Sequence, residues 1–77
     1  MRILVVEDNT VLADTIKEEL SRNVNLDVEV LNNGEDALYD IERSIYDIII
    51  LDIMLPDLSG IEILRIIRNK GIKTPVI

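Results

Sequence analysis

"DIIILDIMLPDLSG", residues 47–60, sets four consecutive large apolar residues, Ile48 to Leu51, directly against a carboxylate, Asp52. So short and so apolar a run, bounded by Asp47 and a loop containing Pro56 and Gly60, reads as a strand with both faces covered. A charge beside a core is unfavourable unless something pairs with it. Asp52 is therefore either a turn residue that escapes to water or a residue placed for chemistry.

The chain on either side of this stretch alternates strands and helices. "RILVV" (2–6) is a second continuous apolar run and the first strand. Asn9 or Thr10 can cap a helix running to about Arg22, with Leu12, Ile16 and Leu20 at four-residue spacing and Val11 and Ala13 beside them. "LDVEVL" (26–31) alternates apolar and acidic residues, the pattern of a strand at a sheet edge. "NNG" (32–34) is a turn and cap, and Glu35 and Asp36 follow in a first helical turn, where the helix dipole favours them. Leu38, Ile41 and Ile45 are the expected buried stripe of that second helix. Ser59 and Glu62 form a capping box that opens a third helix, with Ile61, Leu64 and Ile67, joined by Ile63 and Ile66, as its apolar face. Gly71 stops it, and "TPVI" (74–77) reads as the start of a fourth strand.

Composition narrows the chemistry. The chain has 77 residues, no cysteine and no histidine, which removes disulfides, thiolate sites and any imidazole base or ligand. The net charge of -7 argues against binding nucleic acid or an anionic membrane through this segment. No apolar run approaches the ~18 residues of a membrane span, and no signal peptide is evident; a cytoplasmic chain is expected.

Two doubly apolar strands and one alternating strand give the order 2-1-3, with strand 4 beyond strand 3, in a doubly wound parallel α/β sheet of flavodoxin-like type. The first helix covers one face and the other two cover the opposite face. The chain reverses direction across the sheet between strands 1 and 3, and their carboxyl ends form the crevice where such sheets bind ligands. Glu7 and Asp8 end strand 1; Asp52 ends strand 3. With neighbouring strands ~4.8 Å apart, three carboxylates should converge there. Two unit charges ~5 Å apart repel by about 3 kcal/mol at an effective dielectric near 20. A hard dication such as magnesium relieves that repulsion and prefers oxygen ligands. Alone, each acid reads equally well as a cap or turn residue; together at adjoining strand ends they read as a site.

"ILVVEDN" (3–9), "IIILDIMLPDLSGIEILRIIR" (48–68) and "TPVI" (74–77) together resemble the receiver domain of two-component response regulators, most of all those of transcriptional regulators. The resemblance runs through residues 1–77 in order. It implies that Asp52 accepts a phosphoryl group from a sensor histidine kinase. It also implies that Asp8 binds magnesium directly, Glu7 acts beside it through a metal-bound water, Asp52 itself contacts the metal, and the Met54 backbone carbonyl is a further ligand. Such a module is a signalling switch rather than an enzyme. By the same resemblance the chain is expected to be the N-terminal part of a receiver, truncated in strand 4 and lacking the last strand and last two helices. It is also expected to lack the Ser or Thr and the Lys that hold the phosphoryl group in the family. Uncovered apolar surface and a bare strand edge lead to an expectation of self-association or element exchange between copies.

Two other functions stand beside this one: a fragment that binds magnesium weakly without signalling, and a magnesium-dependent phosphohydrolase with an aspartyl nucleophile. The second needs an acid two residues past the nucleophile, and that position is Met54. Plainer roles are expected elsewhere. Pro56 and Gly60 shape the loop, and Asp57 is a solvated charge. Asn9 is a cap. Arg65, Arg68, Lys70 and Lys73 complement the end of the third helix, and Tyr39 and Tyr46 pack against apolar neighbours.

Overall fold

The computed structural model describes residues 1–77. Three strands, β1 (Arg2–Val6), β2 (Asp27–Leu31) and β3 (Ile48–Leu51), form one sheet in the order β2-β1-β3. Both pairings are parallel: Leu4 faces Glu29 on one side and Ile49 on the other, and Val6 faces Leu31 and Leu51. The two continuous apolar runs are thus neighbours, and the alternating run lies at an edge, as its pattern requires. Val6, Leu31 and Leu51 all end at the same border of the sheet, so the residues that follow them emerge together.

Helices cover the two faces unequally. α1 (Thr10–Ser21) lies over Ile3, Val5 and Val28, with Ile16 and Leu20 half-buried against them. Leu12 and Val11 remain exposed, so only the lower part of the expected stripe is used. α2 (Gly34–Arg43) and α3 (Gly60–Asn69) close the other face around Leu4, Val6, Ala37, Ile41, Tyr46, Ile49, Ile63 and Ile67. Lys70 Nζ meets Glu42 Oε2 at 2.8 Å and ties α3 to α2.

Several details depart from the sequence expectation. α2 ends at Arg43, and Ser44 is extended (φ -120°, ψ 158°). Ile45 therefore leaves the helical register and is 85% exposed, and Tyr46 fills the core beside Ile41 in its place. In α3 the buried pair is Ile63 and Ile67, one turn apart, whereas Ile61 lies roughly 200° around the helix from Ile63 at about 100° per residue and is exposed. Tyr39 is also exposed, its ring stacked under the Arg43 guanidinium at 3.5 Å instead of packed among apolar groups. The fourth strand appears as a single parallel bridge between Ile49 and Val76, on the far side of β3 from β1. Three backbone bonds hold it: Ile49 N–H to Pro75 O, Ile77 N–H to Ile49 O and Leu51 N–H to Ile77 O, at 2.9–3.1 Å. Pro75 has no N–H to add a further rung.

Arg68, the basic residue in the last turn of α3, reaches past the end of the helix. Its guanidinium donates to the carbonyls of Ile72 and Thr74, both at 2.8 Å, and so straps the segment leading to that bridge. No helix is long and apolar enough to cross a membrane.

Candidate functional site

Backbone pairing delivers the acidic residues. Glu7 follows β1 and still donates its N–H to Leu31 O at 3.0 Å, one step beyond the strand. Asp52 follows β3 and donates its N–H to Val6 O at 3.1 Å. Parallel pairing of β1 with β3 therefore leaves Glu7, Asp8 and Asp52 no room to diverge. One carboxylate oxygen from each lies within 4.8 Å of the other two. Glu7 and Asp52 are half-buried and Asp8 is exposed, so the cluster opens to solvent on one side.

Each segment is then fixed locally. Asn9 caps α1 by accepting from Leu12 N–H at 3.1 Å, as expected for a cap residue. The Asn9 N–H donates to Glu7 Oε2 at 3.1 Å, which folds the Glu7 carboxylate back onto the helix start. On the other side, Met54 N–H donates to Asp52 Oδ1 at 3.2 Å and brings the backbone of residue 54 up to the acceptor carboxylate; the Met54 side chain is exposed. Ser59 caps α3 through Glu62 N–H at 3.1 Å. Gly60 lets that helix start against the site: a Cβ there would lie 2.2 Å from Asp52 O.

Crowding is visible in the electrostatics. The Asn9 N–H bond favours the ionised Glu7 and pulls its pKa down. Partial burial, the Asp52 charge and hydrogen bonding with Asp8 and Asp52 together outweigh that bond, and Glu7 is held above its ordinary value of 4.5. Like charges have been brought together without a cationic side chain among them. The donors are all oxygens, the ligand type that hard dications take. Oxygens on opposite sides of a magnesium ion lie ~4.2 Å apart, so a cluster of this spread suits one ion after small side-chain rotations.

Asp57 is an exposed loop residue, as expected, but it carries more than a solvated charge. It is not a free loop charge: its Oδ1 accepts from Gly34 N–H at 2.7 Å and its Oδ2 from Glu35 N–H at 2.8 Å. These two bonds hold its carboxyl below the usual aspartate value of 3.8. Asn32 was also missed as a site neighbour; its Nδ2 donates to Glu7 O at 2.9 Å. Both contacts join residues more than twenty positions apart, so no local spacing advertises them.

Comparison with known proteins gives a consistent assignment. The family model for the response regulator receiver domain matches residues 3–77. The transcriptional regulatory protein CiaR of Streptococcus pneumoniae is 40% identical over 77 residues, covering the whole chain and 34% of CiaR. The chain thus spans about a third of the length of the curated relatives it matches. Among solved structures, the receiver domain of the Francisella response regulator 1452 superposes with a TM-score of 0.93 at 39% identity, over 97% of this chain and 61% of that one. The response regulator TrrA of Thermotoga maritima, solved in complex with Mg(2+)-BeF, gives a TM-score of 0.83 at 40% identity, over 90% of this chain and 59% of that one.

Proposed function

We propose that this chain, which belongs to the response regulator receiver domain family, accepts a phosphoryl group on Asp52 from a sensor histidine kinase, with magnesium held by Glu7, Asp8, Asp52 and the Met54 carbonyl. One observation carries the reading: oxygens of Glu7, Asp8 and Asp52, from two segments more than forty residues apart, meet within 4.8 Å. The TrrA complex with Mg(2+)-BeF supports the choice of metal.

The chain's own residues would supply the nucleophile and its positioning. An Asp52 oxygen attacks phosphorus, a P–O bond forms, and the P–N bond to the donor imidazole breaks with its electron pair retained on nitrogen. When bound, magnesium neutralises charge on the phosphoryl oxygens and the carboxylates together. The Met54 N–H holds Asp52 Oδ1 and leaves the other carboxylate oxygen free for attack. Glu7, tied to the Asn9 N–H, fixes the rear of the cluster. The strand-end backbone bonds keep the whole arrangement preorganised. We read the chain as a switch rather than an enzyme, acting in the cytoplasm. The names of the relatives point to control of transcription as its output.

Incubation with acetyl phosphate and magnesium, followed by intact-mass measurement, tests the proposal. One added phosphoryl group is expected in the wild type and none in Asp52→Asn. An adduct retained in Asp52→Asn would overturn the assignment. Magnesium binding without any adduct would favour a chain that binds the metal and does not accept the phosphoryl group.

A further inference from the structure

The turn between β2 and α2 holds both acid-bearing segments at once. At its start, Asn32 Nδ2 donates to the carbonyl of Glu7 at 2.9 Å. Two residues later, the N–H groups of Gly34 and Glu35 donate to the two oxygens of Asp57, in the loop that begins at Asp52.

The turn does not need Asp57 in order to form. Asn33 already caps α2 through Asp36 N–H at 2.9 Å, and Ala37 N–H reaches the Asn33 carbonyl at 3.2 Å. A helix start leaves four N–H groups without helical partners. Here the first two are taken by a carboxylate from a different loop. Space has been cleared for it: a Cβ on Gly34 would lie 2.8 Å from Leu58 Cβ and 3.1 Å from Asp57 Oδ1. Glycine at position 34 is what lets the loop close on the helix. Leu55 and Leu58, on either side of Asp57, pack against the core and set the approach.

We propose that Asp57 is a positioning residue: by clamping the β3–α3 loop to the first turn of α2, it holds Asp52 and Met54 in register with Glu7 and Asp8. Asn32, in the same turn, steadies the opposite side. The inference rests on reading the acidic cluster as a magnesium-binding phosphoacceptor site. Asp57 touches neither metal nor phosphoryl group; it acts through the loop. Groups that orient metal ligands typically change affinity by about 10–100-fold when removed. Asp57 acts one step further back, and the loop keeps its Gly60 N–H to Ile53 O bond at 2.8 Å. Loss of the clamp should therefore weaken magnesium binding on the order of tenfold.

Calorimetric magnesium titration of wild type, Asp57→Ala, Asp57→Asn and Asp8→Ala, with melting temperatures measured alongside, tests this. Asn keeps one acceptor oxygen and loses the same charge as Ala, so it separates the hydrogen bonds from the charge. The expected order of affinity is wild type, then Asp57→Asn, then Asp57→Ala, with binding abolished in Asp8→Ala. A lower melting temperature in Asp57→Ala with unchanged affinity would make Asp57 a purely structural cap and overturn the inference. Equal weakening in Asp57→Ala and Asp57→Asn would reduce it to a charge effect and overturn it as well. Should Asp57→Ala fail to fold, Asp57→Asn is titrated at low and high salt: binding weaker than wild type at both supports the inference, whereas equal affinity, or a deficit that vanishes in high salt as a through-space charge effect would, overturns it. Wild type without saturable binding, or Asp8→Ala that still binds, would instead sink the acidic-site reading on which the inference stands.

Discussion

Replacing Gly60 by Ala sets two effects of opposite sign against each other. Helix propensity alone favours Ala by about 1 kcal/mol, and Gly60 occupies the first turn of α3 without a positive φ that would penalise it. The close approach opposes this. An added Cβ would lie 2.2 Å from Asp52 O and 3.0 Å from both Asp52 C and Ile53 Cα. Ordinary C···O contacts are about 3.3 Å, so the helix start or the Asp52 backbone must retreat by about 1 Å. The obstructing atoms are backbone, so no side-chain rotation relieves the clash. Overpacking of this kind costs about 3 kcal/mol, at the upper end of its usual range. The Gly60 N–H to Ile53 O bond, 2.8 Å long, would stretch or break, worth ~1 kcal/mol more. The net expectation is destabilisation by about 3 kcal/mol. For a 77-residue chain whose total stability is about 4–12 kcal/mol, that is a large share. Melting followed by circular dichroism should show a fall of roughly 12–24 °C. Gly71→Ala is the comparison: φ is +79° with nothing within 4 Å, so only backbone strain of about 1–2 kcal/mol is expected. A Gly60→Ala variant that melts as high as wild type, or higher than Gly71→Ala, would refute the packing argument.

Other consequences follow from the same coordinates. Burial first, and then the Asp40 carboxylate that its hydroxyl bonds, push Tyr46 up from 10.0 to about 12. The stability it contributes is complete below pH 10 and is lost as pH rises toward about 12, so wild type and Tyr46→Phe should differ at neutral pH and converge in alkaline urea titrations; a constant gap would contradict this. Asp57 has the opposite sign. Its carboxyl is depressed by the Gly34 and Glu35 N–H groups, so its contribution is present above pH 3.8 and lost as pH falls through its lower folded value. Asp57→Asn should flatten that part of an acid unfolding curve, and an unchanged curve would count against the clamp's strength. Ile53, Ile61 and Ile77 border an apolar cleft of about 230 Å³ and are each about half exposed or more. Light scattering at tens of micromolar should detect self-association, and a stable monomer would contradict that expectation.

Much of the fold is written in periodicity. Residues 3–6 and 48–51 are apolar without alternation, and β1 and β3 lie side by side; β1 is buried from Ile3 to Val6, whereas β3 buries only Ile49 fully. Asp27 and Glu29 alternate with Val28 and Val30 because α1 packs on the face of β2 that carries the valines and the acidic residues on the other face are exposed. Asn9, Asn33 and Ser59 announced their helices because cap chemistry is local, reaching only the third residue on. The convergence of Glu7, Asp8 and Asp52 followed from strand order alone. What stayed hidden was set by distance along the chain or by small changes of register. Asp57 is indistinguishable from any loop aspartate until α2 arrives beside it. Ile45 fits a helical stripe by spacing, but the helix ends two residues earlier and Tyr46 fills the core instead. Tyr39 lost its expected apolar surroundings to an exposed position beneath Arg43.

In the proposed function, carboxylates from two separated segments form one binding site for a divalent cation. Manganese, a paramagnetic substitute for magnesium, can be titrated into isotopically labelled protein while amide signals are followed by NMR. Glu7, Asp8, Asp52 and Ile53 should broaden first, excess magnesium should restore them, and Asp8→Ala should abolish the effect. Broadening that begins instead along the acidic surface of α1, at Glu18 and Glu19, or that spreads evenly over the chain, would contradict it.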